Sequence, residues 1–208
     1  MDLMDQFKCP RGRQGRIVAA LMNRGHKTLT TWGLTHVVIQ SNFTILDVGC
    51  GGGKTVNRLA EMTPQGKVFG VDYSSDMVEY TRKLNRKLVE QGRVEIVEGS
   101  ADRTGLPSDT FDLVTACETY YFWPSLPNAF KEILRVLKPD GTFLMINEMI
   151  KDGVCDVKRA DLIEKTHVRL YGLEEIKGML QSAGFVEVEV NRKPDSAWNT
   201  IAAKKPAV

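Results

Sequence analysis

The feature that most constrains the fold is a glycine-rich turn that follows an apolar segment, within residues 45–55. Four glycines fall within five residues, and Asp47 stands two positions ahead of the first of them: Gly49, Gly51, Gly52 and Gly53. Glycine leaves the backbone open to a ligand that lies against it, and a helix beginning after the turn presents its N-terminus to the same point. The pattern predicts a nucleotide-type cofactor loop between a strand and a helix.

Two common phosphate-binding loops do not fit this spacing. The loop of nucleotide hydrolases has the pattern G-x-x-x-x-G-K-[ST]. Lys54 and Thr55 match its end, but Val48 replaces its first glycine. The dinucleotide pattern G-x-G-x-x-G fails in both registers, because Lys54 and Val56 stand where its last glycine would fall.

A second acidic residue, Asp72, ends the next apolar segment, residues 68–71. It lies about 20 positions after the glycines, the distance at which an acidic residue can reach ribose hydroxyls. The structural alternative is that Asp72 begins the turn into a helix opened by Ser74 and Ser75. A strand that ends in aspartate is also typical of nucleotide hydrolases, so that alternative stays open.

Apolar segments alternate with segments of helical period from residue 43 onward. Five segments are nearly continuous in apolar residues, as strands covered on both faces are: residues 43–48, 68–71, 94–97, 111–116 and 142–146. Apolar residues at helical spacing predict helices over residues 77–88 and 126–137. The alternation predicts an α/β fold built from βαβ units around a parallel sheet.

Both ends of the chain depart from this alternation. Residues 1–42 combine a polar start with predicted helices around residues 17–22 and 29–39. After a helix that stops at Gly184, valines alternate with polar residues at 186–191, and a turn leads into a last strand at 198–203. Two strands joined by a short turn predict an antiparallel pair at the sheet edge.

The acid-x-G-x-G-x-G pattern of Asp47, Gly49, Gly51 and Gly53 resembles the first motif of class I S-adenosylmethionine-dependent methyltransferases. Later family signatures follow in order at residues 98–102, 111–115 and 134–142. The resemblance covers residues 43–149 and the closing strand pair, and is nearest to the small-molecule methyltransferases of ubiquinone and menaquinone biosynthesis. It implies a Rossmann-like, seven-stranded, mostly parallel sheet with an antiparallel last strand and helices on both faces. The implied cofactor is S-adenosyl-L-methionine, with S-adenosyl-L-homocysteine as its product.

The motifs and the resemblance together give a predicted cofactor site. Its residues are Asp47, Gly49, Cys50, Gly51, Gly53, Asp72, Tyr73, Met77, Ala101, Asp102 and Cys117. The resemblance places Asp102 near the adenine amino group, and Tyr73 and Met77 are candidates for packing against the ring. Met77 is equally in phase with the core stripe of its helix, and a buried strand thiol is the simpler interpretation of Cys117.

The acceptor is predicted to bind after the fourth strand, because open α/β sheets place ligands at the carboxyl ends of their strands. Tyr121 and Trp123 there, together with Trp32, are the predicted substrate-binding residues. Glu118 and His26 are the catalytic candidates, since a hydroxyl or amine that receives a methyl group must lose a proton. Two alternatives stay open: Glu118 instead binds the cofactor or orients the substrate, and His26 has a structural role as a helix cap or a packed side chain.

Composition excludes several classes of protein. The 28 basic and 26 acidic residues give a net charge of +2, which provides no general attraction to nucleic acid. The four cysteines form no C-x-x-C pair, so neither structural zinc nor a disulfide framework is expected, and no metal is predicted. No apolar run reaches membrane-spanning length and the N-terminus does not resemble a secretory signal, so a cytoplasmic location is expected.

The sequence therefore predicts one methyltransferase domain over residues 1–208. Its predicted parts are a helical cap or lid (1–42), a cofactor-binding core (43–149), an insertion near the acceptor site (150–171) and a closing helix and strand pair (172–208). The predicted activity is methyl transfer to a small-molecule acceptor. The alternatives are a nucleotide-dependent hydrolase or kinase using Lys54, Thr55 and Asp72, and a non-catalytic cofactor-binding protein.

Overall fold

The computed structural model describes residues 12–207, without the side chains of residues 13, 14, 16, 22 and 23. The predicted polar start, residues 1–11, lies outside the described residues. Seven strands form one sheet: β1 Thr44–Val48, β2 Lys67–Asp72, β3 Val94–Glu98, β4 Phe111–Cys117, β5 Leu137–Asn147, β6 Val186–Arg192 and β7 Asn199–Lys204. Their order is β3-β2-β1-β4-β5-β7-β6.

Strands β1 to β5 run parallel, and β7 lies antiparallel between β5 and β6. The predicted fold class and the closing antiparallel pair are therefore confirmed. Chain order reverses at β1, which pairs with β2 on one side and with β4 on the other. Open α/β sheets bind ligands outside the carboxyl ends of the strands at such a switch point.

Nine helices accompany the sheet in the described residues: α1 Gly12–Gly25, α2 Lys27–Leu34, α3 Lys54–Met62, α4 Ser75–Leu84, α5 Arg86–Glu90, α6 Leu126–Val136, α7 Cys155–Lys158, α8 Ala160–Thr166 and α9 Leu173–Ala183. A 3₁₀ turn spans Tyr120–Phe122. One apolar cluster joins the sheet to α6 and α9, and a second joins it to α2, α3 and α4. The two layers bury both faces of the parallel strands, which explains their nearly continuous apolar sequence.

The structure corrects three predicted boundaries. The helix predicted over residues 77–88 is divided at Asn85, whose side-chain amide donates to the carbonyls of Thr81 and Gly53 at 3.0 and 3.2 Å. The fifth strand begins at Leu137 instead of residue 142, because the segment between them forms a bulge against β4. The second N-terminal helix ends at Leu34 instead of residue 39.

Within the part of the chain that the structure describes, no helix has both the length and the apolar character needed to cross a bilayer.

Candidate active site

A cavity of about 410 Å³ lies at the carboxyl ends of β1, β2, β3 and β4. One part of its lining, the donor end, is formed by the glycine loop, Asp72 and residues 99–101, and another, the acceptor end, by residues 117–118 and 122–124 after β4. Thr119 also lines the cavity and lies against Gly49 of the loop. Ala19 of α1, His26 at the α1–α2 junction, and Lys27 and Thr30 of α2 also line it. The segment before the first strand thus contributes directly to the cavity wall.

The glycine loop is held against β2 by main-chain hydrogen bonds. The amides of Gly49 and Cys50 donate to the carbonyl of Val71 at 2.8 and 3.1 Å. Gly49 has a φ of 73°, and a Cβ there would lie 2.1 Å from Oγ1 of Thr119. Gly49 is therefore required both by its backbone conformation and by close packing.

Gly51 has a different reason to lack a side chain. Its φ is 46°, and the nearest atom to an added Cβ would be a main-chain oxygen at 3.9 Å. Because Gly51 lines the cavity, a side chain there would take up space open to a ligand. Gly53 lies outside the cavity lining, and a Cβ there would meet Thr81 at 2.5 Å.

Asp72 lines the cavity and also braces the glycine loop. Its Oδ2 accepts a hydrogen bond from the amide of Gly51 at 2.8 Å, and its Oδ1 accepts one from the amide of Ser74 at 2.9 Å. Burial raises the pKa of this carboxyl, although both hydrogen bonds act in the opposite direction. Asp72 thus begins the turn into α4, which was the structural alternative to a ribose-binding role. It also lines the cavity, so the two roles are compatible.

Asp47 is 2% exposed and accepts a hydrogen bond from Oγ1 of Thr115 at 2.7 Å. Burial raises its pKa to about 7, with the hydroxyl of Thr115 opposing the shift and the charge of Asp72 adding to it. The carboxyl therefore changes its charge near neutral pH.

The remaining predicted cofactor residues divide into two groups. Cys50, Tyr73, Met77, Ala101 and Cys117 line the cavity, whereas Asp102 does not and instead accepts a hydrogen bond from Ser100. Met77 is fully buried, so it serves the core as well as the cavity wall. Burial raises the pKa of the Cys50 and Cys117 thiols, which keeps them protonated and poorly nucleophilic.

The donor end has the features that S-adenosylmethionine requires. Two buried carboxylates face the cavity, and each retains acceptor capacity beyond the hydrogen bonds it already makes. Gly51 leaves open space beside them, and Met77 and Ala101 supply an apolar wall. Such a set matches a ligand with hydroxyl groups, positive charge and a flat apolar ring.

Glu118 is the buried carboxyl of the acceptor end of the cavity. It is 4% exposed, and its φ of 53° is a strained conformation for a residue with a side chain. Its Oε1 accepts from the amide of Glu148 at 2.6 Å, and its Oε2 accepts from the hydroxyl of Tyr121 at 3.0 Å. Burial raises the pKa of Glu118 to about 7, with these two hydrogen bonds opposing the shift. A strained, buried carboxyl that titrates near neutral pH is typical of a functional site.

His26 lies between α1 and α2 and lines the same end of the cavity. It stands at the N-cap position of α2, but its side chain makes no capping hydrogen bond. Burial lowers the pKa of its imidazole, while the charge of Glu148 opposes that shift. The ring is therefore unprotonated at neutral pH and able to accept a proton.

Two residues that the sequence did not single out complete this end. Glu148 follows β5, and its Oε1 accepts from Nη2 of Arg159 at 2.9 Å. His26, Glu118 and Glu148 each bring a potential ligand atom to within 4.8 Å of the others. The position of Glu148 at the carboxyl end of a strand was a usable signal, whereas nothing in the local sequence indicated Arg159.

The structure separates the three predicted substrate-binding aromatics. Trp123 lines the cavity, together with Phe122. Tyr121 lies behind Glu118 and contacts it through its hydroxyl instead of lining the cavity. Trp32 also lies outside the cavity lining and packs against Trp198, with ring centroids 6.0 Å apart. Tyr121 points into the buried interior because consecutive aromatics after β4 cannot all face one side.

Comparison with known proteins indicates the same enzyme class and cofactor as the geometry of the site. The family model described as a methyltransferase domain matches residues 46–145. An uncharacterized methyltransferase of Bacillus subtilis, YdaC, is 27% identical over 195 residues, covering 92% of this chain and 99% of the relative. Demethylmenaquinone methyltransferase of Symbiobacterium thermophilum is 38% identical over 103 residues, covering 49% of this chain and only 41% of the relative.

A solved structure shares the fold. Phosphoethanolamine N-methyltransferase 2 of Haemonchus contortus, in complex with S-adenosyl-L-methionine, superposes with a TM-score of 0.75 at 19% identity. The match covers 86% of this chain and 53% of the other. The predicted enzyme class and cofactor are confirmed: the chain is an S-adenosylmethionine-dependent methyltransferase with the Rossmann-like fold of class I.

Proposed function

We propose that this enzyme transfers the methyl group of S-adenosylmethionine to a small-molecule acceptor with an aromatic or apolar body. The acceptor would bind at the end of the cavity formed by His26, Glu118 and Trp123. One observation carries the proposal: a single cavity contains both the glycine loop with its two aspartates and this second, partly aromatic end. Donor and acceptor can therefore occupy one cavity.

At the donor end, we assign Asp72 to the ribose hydroxyls because its carboxylate lines the cavity. The buried carboxyl of Asp47 suits a positively charged or donor group. Met77 and Ala101 suit one face of the adenine ring, with Tyr73 at its edge. Asp102 would reach the adenine only by exchanging its hydrogen bond from Ser100.

When bound, S-adenosylmethionine supplies a methyl group on a positively charged sulfur. The chain supplies alignment of the acceptor and exclusion of water, and alignment of two reactants is worth about 7–11 kcal/mol of a barrier. Phe122 and Trp123 would hold the body of the acceptor. Glu118 and His26 would take up the proton that a hydroxyl or amine loses.

The proposal includes the expectations of a cytoplasmic location and of no nucleic-acid partner. The near-balanced charge of the chain supports the second expectation, since a net charge of only +2 gives little attraction to the phosphates of nucleic acid.

Calorimetry with four ligands, followed by an acceptor screen, tests the proposal. We expect S-adenosylmethionine and S-adenosylhomocysteine to bind, and neither magnesium-ATP nor NAD. The screen would then offer phenols, quinols, free fatty acids and aliphatic amines with labelled donor. Trp123→Ala should raise the KM for an accepted compound, whereas Trp198→Ala, which alters an aromatic outside the cavity, should not.

Binding of magnesium-ATP without any response to S-adenosylhomocysteine would overturn the donor assignment. Methylation of tRNA or DNA, with every small acceptor inactive, would overturn the acceptor class.

A further inference from the structure

The acceptor end contains a charged network that extends behind the cavity wall. His26 and Glu118 line the cavity, but Glu148 does not. Glu148 connects to both sides of the network, because its amide donates to Glu118 and its carboxylate accepts from Arg159. Arg159 lies between α7 and α8, in the insertion that follows β5.

We propose that Glu148, held by Arg159, is a positioning residue that orients His26 and stabilises its charged form during proton removal from the acceptor. The inference rests on the proposed function and adds to it the residues that control the proton acceptor.

The placement of the charges supports this assignment. Ligand-capable atoms of Glu148, Glu118 and His26 lie within 4.8 Å of one another, so either carboxylate can act on the ring. Both oxygens of Glu118 already accept hydrogen bonds, from Glu148 and Tyr121. On Glu148, the ion pair with Arg159 engages Oε1. Of the four carboxylate oxygens of Glu118 and Glu148, Oε2 of Glu148 is thus the one that accepts no hydrogen bond within the described residues.

The two carboxylates of the network also need a positive charge nearby to compensate them. Besides Glu118 and Glu148, the charge of Arg159 acts on His26, and the adjacent Lys27 and Arg58 of α3 line the same cavity. Two carboxylates this close repel each other unless a cation compensates one of them. Arg159 supplies that cation at 2.9 Å from Glu148.

The proton step follows from this arrangement. The proton of the acceptor's O–H or N–H group passes to the unprotonated nitrogen of His26, and the electron pair of that bond stays on the acceptor atom. The imidazolium so formed is stabilised by the Glu148 carboxylate and returns the proton to solvent. A carboxylate that orients an imidazole and stabilises its charged form is an established arrangement for proton transfer.

The test is an NMR titration of the histidine rings in full-length protein saturated with S-adenosylhomocysteine. The chain has three histidines, so His36 and His167 serve as internal references. Glu148→Gln removes a negative neighbour and should lower the pKa of His26 by at least about 0.5 pH unit, while Arg159→Met should raise it. Glu164→Gln and Arg169→Met are matched controls on exposed residues of the same region and should leave it unchanged.

An unchanged His26 pKa in both Glu148→Gln and Arg159→Met would overturn the inference, as would stoichiometric binding of added Zn²⁺ that is lost in Glu148→Gln. Arg159→Met keeps the test valid if Glu148→Gln fails to fold. Calorimetry on the same samples separates the two proposals. Failure of the wild type to bind S-adenosylhomocysteine contradicts the proposed function, whereas binding with an unresponsive His26 contradicts only the role of Glu148.

Discussion

The donor end of the cavity is built mainly from backbone, whereas the acceptor end is built from side chains that converge from distant segments. At the donor end, amides of Gly49, Cys50 and Gly51 donate to β2 or to Asp72. At the acceptor end, His26 precedes the first strand, and Glu118, Glu148 and Arg159 follow β4, β5 and α7.

This difference determines which amino-acid substitutions each end of the cavity tolerates. A site shaped by its backbone depends on conformation, so the glycine positions and the bracing aspartates should be its most sensitive residues. A site of converging side chains depends on charge and hydrogen bonding, so substitutions there should change proton transfer more than stability.

The largest effect is expected for Gly49→Ala. The new Cβ would meet Thr119 at 2.1 Å in a backbone conformation that alanine disfavours. We expect a loss of about 3 kcal/mol in the free energy of unfolding, together with loss of S-adenosylhomocysteine binding. Urea unfolding and calorimetry measure the two quantities.

Gly51→Ala is the matched comparison. Its backbone is also left-handed, but the added Cβ has open space. We expect a smaller loss of stability, about 1 kcal/mol, with a marked loss of donor affinity because the methyl group enters the cavity. Equal stability losses in the two variants would show that close packing behind the loop is not what fixes the donor end.

Sequence patterns predicted the donor end well because its elements are close in the chain. The strand before the loop, the glycines and Asp72 form one continuous pattern, and the predicted parallel sheet places their carboxyl ends at one edge. Gly53 shows the limit of the pattern: it belongs to the motif, yet its role is to pack against Thr81 instead of lining the cavity.

The acceptor end was predicted only in part, for a physical reason. Glu118 and Trp123 lie at a predicted strand end, and the structure places both at the cavity. The ion pair of Glu148 and Arg159 depends on how the insertion folds back, and local sequence does not determine that. Trp32 lies outside the cavity lining and against Trp198, a contact with a residue far along the chain that local sequence does not reveal.

A second, intermediate effect is expected in the pH dependence of donor binding. The pKa of Asp47 is raised to about 7, so the carboxyl becomes protonated below neutral pH in the donor-free protein. Because S-adenosylhomocysteine carries an ammonium group, its affinity should fall below pH 7, by up to about tenfold per pH unit. Asp47→Asn should flatten this dependence, whereas Asp102→Asn, outside the cavity lining, should retain it.

The stability of the donor-free protein should vary with pH in the corresponding direction. A carboxyl whose folded pKa lies above its unfolded value of 3.8 contributes stability that is complete below that value and lost as pH rises through about 7. Asp47→Asn should therefore raise the Tm at pH 8 relative to wild type and have little effect at pH 4. A Tm that responds equally at both pH values would contradict a buried, titrating Asp47.

The smallest effect concerns the predicted lid over residues 1–42. The structure anchors α2 firmly: a Cβ on Gly33 would lie 2.6 Å from Ile146. Oγ1 of Thr30 lies 3.1 Å from Sγ of Cys117, and Arg58 donates to the carbonyl of Lys27. If part of this segment moves, we therefore expect it to be α1, with a hinge at Gly25 and His26.

Limited trypsin digestion measures this motion at Arg24, an exposed residue at the end of α1. α1 exposes most of Ile17, but it buries Val18 and Ala19 and donates a hydrogen bond from the amide of Gly12 to Asp76 of α4, so these are the contacts that its opening must break. We expect S-adenosylhomocysteine to slow cleavage after Arg24 several-fold while leaving cleavage after Arg86, outside the cavity lining, nearly unchanged. Gly25→Ala should restrict backbone rotation at this hinge and so slow cleavage after Arg24 in the ligand-free protein. Equal cleavage after Arg24 with and without ligand would mean that α1 is a fixed wall of the cavity.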